Sequence, residues 1–117
     1  MTQTELTIRI NRKESFIMAN DGQFLGKLSL NIYDADSILN KYGRYGNSYS
    51  PTSIMNKYST YGSPYSSLSP FNQYTTTPPI IFLHGVRIGY LSVNRYIVGA
   101  INPYDIEDWM KYNALFY

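Results

Sequence analysis

The sequence predicts an α+β fold: a small antiparallel sheet from two similar hairpins plus an N-terminal strand, Tyr-rich repeat loops inserted between the hairpins, and one C-terminal helix. Three observations carry this reading. First, an echo at an offset of 63 residues maps Gly22, Leu25, Gly26, Leu28, Ser29, Asn31 and Tyr33 onto Gly85, Ile88, Gly89, Leu91, Ser92, Asn94 and Tyr96. Second, an echo with a 16-residue period repeats Tyr33 as Tyr49 and Tyr65, Ser37 as Ser53 and Ser69, Asn40 as Asn56 and Asn72, and Tyr42 as Tyr58 and Tyr74. Third, the tail carries the capping and periodicity of an amphipathic helix. Internal repeats constrain architecture, because a unit too short to bury its own apolar face must lean on a neighbour.

The chain reads as a single domain, 1–117, divided into first strands at 4–30, repeats at 31–78, a second hairpin at 79–94 and a helix at 102–114. Residues 4–10 alternate, with Leu6, Ile8 and Ile10 on one side and Thr7 and Arg9 on the other, the period of a half-buried strand. Ser15 to Asn20 places Phe16 and Met18 on one face. Asn20-Asp21-Gly22 then predicts a type I′ turn, since Asp-Gly tolerates positive φ. Gln23 to Leu30 returns as a third strand, and Ile80 to Leu83 opens the second hairpin, for about five strands in all. Gly26 and Gly89 sit inside strand patterns, where glycine marks a bulge or a close backbone approach.

Each 16-residue unit opens with Tyr33, Tyr49 or Tyr65, followed by Asp34, Ser50 or Ser66, residue types that cap helix N-termini. Next come Ile38-Leu39, Ile54-Met55 and Pro70-Phe71. This is one helical or 3₁₀ turn carrying an apolar pair inward. Asn40, Asn56 or Asn72 is expected to close it, tolerating the left-handed conformation and bonding local backbone. The strict spacing argues for defined loops rather than a disordered low-complexity tract. In the tail, Asn102 caps, Pro103 occupies the first helical position, and Asp105, Glu107 and Asp108 crowd the positive end of the dipole. Ile106, Trp109, Met110 and Asn113 share one face, with Leu115 and Phe116 behind.

Composition excludes several functions. With 13 tyrosines against one tryptophan and five phenylalanines, a core built from these residues must be threaded with hydrogen bonds. The net charge of +2 is too small for the basic footprint of most nucleic-acid binders. Zero cysteines exclude disulfides and thiolate metal sites. No apolar run is long enough for a membrane span, and Met1 to Arg12 lacks the apolar core of a secretory signal, so a soluble, cytoplasmic location is expected. There is no phosphate-binding loop, no dinucleotide fingerprint and no nucleophile elbow. The sole histidine, His84, lies at the second hairpin turn, where Asp21 is its counterpart, so the position calls for a turn residue. Asp34 and Asp36 look like paired oxygen ligands, but their repeat equivalents are Ser50 and Thr52, an exchange that capping explains and calcium does not. No catalytic residue, metal or cofactor is therefore assigned.

The run from Leu25 to Pro79 resembles a group of small bacterial proteins with Tyr/Asn/Ser/Gly-rich 16-residue repeats. The shared pattern is carried here by Leu25-Gly26-Lys27-Leu28, Asn31, Tyr33-Asp34-Ala35-Asp36-Ser37-Ile38, Asn40, Tyr42-Gly43-Arg44-Tyr45-Gly46 and Tyr49-Ser50. The resemblance implies the repeat architecture and brings with it no activity, cofactor or catalytic residue.

The remaining chemical signal is basic residues beside aromatics: Lys41, Tyr42, Arg44 and Tyr45, repeated as Lys57, Tyr58 and Tyr61. The expected function is a non-enzymatic binding module that recognises a protein partner through these loops, in the manner of an inhibitor blocking a larger complex. Tyr, Ser, Gly and Asn together are the composition of adaptable recognition surfaces. The alternatives are nucleotide or nucleic-acid binding, with tyrosine stacking on bases and Lys41, Arg44 and Lys57 meeting phosphate, and a purely structural repeat.

Overall fold

The structure, a computed structural model, describes residues 1–116. It is α+β. Helix α1 (Gln3–Asn11) precedes strands β1 (Phe16–Met18) and β2 (Phe24–Lys27). A long coiled segment leads to β3 (Ile80–Leu83) and β4 (Val86–Tyr90), and a 3₁₀ turn (Pro103–Asp105) runs into α2 (Ile106–Tyr112). The sheet has four strands in the order β2-β1-β3-β4, all antiparallel. The two hairpins thus meet back to back through β1 and β3, with Ile17 opposite Ile81.

The expected N-terminal strand is a helix instead, and the sheet has four strands rather than five. Leu6 and Ile10 are four residues apart as well as on one side of a strand, so alternation alone does not separate the two periods. The deciding signal is a capping box: Thr2 Oγ1 accepts from the Glu5 N–H at 3.1 Å, and the Thr2 N–H donates to Glu5 Oε2 at 3.3 Å. Ile8, expected to be inside, faces solvent.

The sheet separates two apolar clusters. On one face Phe16, Phe24, Tyr45, Ile80 and Phe82 pack together under Leu6 and Ile10 of α1. Phe16 stacks on Phe82 at 4.6 Å, Phe24 meets Tyr45 edge-on at 4.9 Å, and the Arg9 guanidinium lies 3.7 Å above the Phe24 ring. On the other face Ile17, Leu25 and Ile81 join Ile38 and Ile54 from the coils and Ile106, Met110 and Leu115 from the C-terminal segment. The tail therefore follows the expected pattern, with Asn102 Oδ1 accepting from the Tyr104 N–H at 2.9 Å, though its first turn is 3₁₀ and Phe116 is exposed.

The hairpin turns differ from expectation. At Asn20-Asp21-Gly22 only Gly22 has positive φ, so the turn is not type I′. The two-residue turn with both central φ values positive is His84-Gly85, at 50° and 79°. Gly26 does mark a close approach: at φ 117°, a Cβ there would sit 2.8 Å from both Ile38 Cγ2 and Tyr45 Cβ.

Candidate functional site

The segment between the hairpins is a chain of β-turns advancing three residues at a time. The N–H groups of Asp34, Ser37, Asn40 and Gly43 each donate to the carbonyl three residues earlier. Ser50, Ser53, Asn56 and Ser59 do the same in the next coil, and Ser66, Ser69 and Thr75 in the last, all at 3.0–3.3 Å. The 16-residue period is five such triplets plus one extra residue, which in the first two coils is Gly46 or Gly62. A Cβ on either glycine would overlap the carbonyl oxygen of Asn40 or Asn56, so only glycine lets the chain pass there.

In most triplets the first residue holds the turn with its side chain. Asn40 Oδ1 accepts from the Tyr42 N–H at 3.0 Å, Asn56 from Tyr58 at 3.0 Å and Asn72 from Tyr74 at 2.9 Å. The same amides donate back through Nδ2 to the carbonyls of Asp34, Ser50 and Ser66 at 3.0–3.2 Å. These asparagines bond local backbone as expected, but none adopts positive φ. Asp34, Ser50 and Ser66, expected to cap helices, instead accept from the N–H two residues on, closing Asx- and Ser-type turns. Of each expected inward pair only the first member is fully buried: Ile38, Ile54 and Pro70. Successive coils are tied by buried serines, Ser37 Oγ donating to the Ser29 carbonyl at 2.6 Å and Ser53 Oγ to that of Tyr45 at 3.1 Å.

This turn chain places the tyrosines. Tyr33, Tyr42, Tyr49, Tyr58, Tyr65, Tyr74, Tyr96 and Tyr104 each sit two residues after an Asn or Ser whose side chain accepts their own N–H. All eight (Tyr33 through Tyr104 in that series) are exposed by 78% or more, so these tyrosines are surface and not core. The interior hydrogen bonding comes from Asn, Ser and Thr. Among the described residues no buried side-chain polar atom lacks a partner.

The sequence-derived site residues separate into groups. Lys41, Tyr42, Arg44, Lys57 and Tyr58 are exposed. Tyr45 is not on the surface: it is 9% exposed in the aromatic cluster under α1. Its residue two before is Gly43, which has no side chain to tether it. Tyr61 is half-buried, and its hydroxyl donates to Asp21 Oδ2 at 2.8 Å. Burial, the Asp21 hydrogen bond and the Asp21 charge push its pKa up to about 12. Lys57 Nζ lies 5.5 Å from the Tyr58 ring centroid.

Lys57 and Tyr58 open onto a groove of about 660 Å³ between the second and third coils and the C-terminal 3₁₀ turn. Tyr65, Phe71 and Tyr104 also line it, with Phe71 meeting Tyr104 edge-on at 5.1 Å. A second hollow of about 520 Å³ shares Tyr65, Phe71 and Tyr104 and runs on to Tyr74 and Val93. Lys41 lines a separate hollow with Leu39 and Met55, and Tyr42 and Arg44 lie outside these spaces. Tyr65, Phe71, Tyr74 and Tyr104 are the groove residues that the basic-aromatic reading passed over. The Asn or Ser two places before each tyrosine was their signal.

Asp34 and His84 make contacts within the fold. Asp34 accepts from Lys27 Nζ at 2.7 Å and from the Asp36 N–H at 2.9 Å. Burial would raise its pKa, but these hydrogen bonds and the Lys27 charge outweigh it and hold the carboxyl below its usual value. The His84 N–H donates to Ser15 Oγ at 3.0 Å, which seats the turn on the segment after α1. Among the described residues no helix is long and apolar enough to cross a membrane, and no cluster of three or more His, Asp or Glu is placed to hold a metal ion. No protein-family model matches the chain, and no match was found among curated proteins or solved structures.

Proposed function

We propose that the chain is a non-enzymatic binding module that recognises a protein partner through the tyrosines displayed by its coils. The observation that carries this reading is the tether: each displayed tyrosine has its backbone N–H held by an Asn or Ser side chain, so the ring projects from a fixed point. Large rings on an ordered backbone lose little conformational entropy on binding and bring much contact area. Exposing them instead of burying them forfeits the folding free energy that their apolar surface would otherwise contribute.

A second reading, nucleotide or nucleic-acid binding, draws on Lys41 and Lys57, which stand at equivalent places in adjacent coils, each directly before a tethered tyrosine. The small net charge favours the protein partner.

Capture from lysate by the full chain and by a Tyr42→Ala/Tyr58→Ala variant tests both. The expected result is a partner retained by the wild type through a rise from 0.1 to about 0.5 M salt and lost by the variant, whose melting temperature is unchanged. A complex that dissolves steeply with salt supports the nucleic-acid reading. Equal capture by both proteins rejects the repeat tyrosines as the recognition surface.

A further inference from the structure

The geometry points to the groove between Tyr58, Tyr65, Phe71 and Tyr104 as a docking site for a proline-rich protein segment in the polyproline II conformation, carrying an acidic residue at the end that meets Lys57. This rests on the reading of the chain as a protein-binding module and names the site and the class of ligand.

Shape is the first argument. The two hollows adjoin across Tyr65, Phe71 and Tyr104, so the space is elongated, running from Lys57 and Tyr58 at one end to Tyr74 at the other. An extended ligand fills such a groove. Polyproline II advances about 3.1 Å per residue with three residues per turn, and its stiffness means little entropy is lost on docking.

Hydrogen-bonding capacity is the second. Proline offers carbonyl acceptors and no N–H, so its partner must supply donors and flat apolar faces. The groove supplies both, since Tyr58, Tyr65, Tyr104 and Lys57 line it together with the apolar side chains of Ile54 and Phe71.

Charge is the third. Among the described residues, Lys57 is the sole charged side chain lining either hollow. One cation does not match a nucleotide's phosphates. It does match one carboxylate, and its place at one end gives the ligand a direction.

Backbone NMR of the full chain provides the test. The probes are a ten-residue peptide of two aspartates followed by eight prolines, the same peptide with two lysines in place of the aspartates, and cellohexaose. The expected result is saturable shift changes confined to residues 54–65, 71–74 and 102–105 with the acidic peptide, and weaker binding of the lysine-flanked one. Tyr65→Ala and Tyr104→Ala each weaken binding at least tenfold. Lys57→Glu reverses the preference between the two peptides, and Tyr112→Ala, an exposed tyrosine on α2 that carries no such tether and lines neither hollow, changes nothing. No response to either peptide at millimolar concentration, a response elsewhere on the surface, or a response to cellohexaose alone overturns the inference. Should peptides fail while the lysate partner is still lost on Tyr42→Ala/Tyr58→Ala substitution, this inference falls and the binding-module reading stands; should both fail, both fall.

Discussion

The two hairpins share a local pattern and differ in what covers them. Ile38 donates its N–H to the Lys27 carbonyl at 3.1 Å, and Ile101, 63 residues on, donates to the Tyr90 carbonyl at 2.9 Å. The Asn31–Tyr33 tether recurs as Asn94–Tyr96, both at 3.0 Å. Yet Phe24, Leu25 and Gly26 of β2 are buried, whereas Val86 and Ile88 of β4 are exposed by 61% and 43%. Behind β2 come three coils on one face, and α1 lies on the other; behind β4 comes a single short loop before the C-terminal helix. A repeated local code sets backbone geometry, and burial is decided by how much chain follows it.

The echo positions give ways to break this comparison. Leu25 and Ile88 occupy the same place in the two hairpins. In urea unfolding, Leu25→Ala is expected to lose about 2–5 kcal/mol, since its side chain is fully buried among Ile17, Ile38 and Ile54, while Ile88→Ala stays within about 0.5 kcal/mol. Comparable losses would mean that β4 is covered in solution.

Asn94 and Asn31 sharpen the comparison in the opposite sense. Asn94 is buried, and besides its tether to Tyr96 it donates through Nδ2 to the Thr75 carbonyl at 2.8 Å, joining the second hairpin to the last coil. Asn31 is exposed and holds only the Tyr33 N–H. Asn94→Ala is expected to cost about 1–3 kcal/mol by leaving a buried carbonyl unpaired, and Asn31→Ala about 0.5 kcal/mol. Amide exchange should accelerate at Tyr96 in the first variant and at Tyr33 in the second; no change at either would remove the tether as the placing device.

The smallest effect concerns the turns. Tyr61 anchors the first turn through Asp21, whereas the equivalent residue in the second turn is His84, seated through its backbone. Because folding raises the Tyr61 pKa to about 12 from 10.0, its contribution is complete below the unfolded value and is lost as pH climbs from 10 towards 12. Tyr61→Phe should therefore flatten the stability decline in that window, and solvent exposure keeps the change small. An unaltered alkaline profile would show that the Asp21 contact is not maintained.

Much of the architecture was legible in the sequence because repeats and turn residues act locally. The Asn102-Pro103 cap and the importance of Asn40, Asn56 and Asn72 follow from contacts within a few residues, and the four recognised strands from local alternation and turn residues. The misreadings have definite causes. Leu6, Ile8 and Ile10 satisfy two periods, and the Thr2–Glu5 box that resolves them lies outside the alternating run. Tyr42 and Tyr45 look alike in a basic-aromatic cluster, but only Tyr42 follows a residue able to hold its N–H. Ser59 precedes Tyr61 by two, yet its hydroxyl bonds the Ser53 and Asn56 carbonyls instead.

The amino-acid sequence by itself determined most of the turn-by-turn course of the coils, because an Asn or Ser side chain lies within reach of the N–H two residues on. Only the tertiary structure decided which rings are core and which are surface. It also made the groove, since Tyr58, Phe71 and Tyr104 belong to different coils and a distant 3₁₀ turn and meet only when the coils stack on the sheet. Burial depends on chain that is remote in sequence, and no local hydrogen bond encodes it.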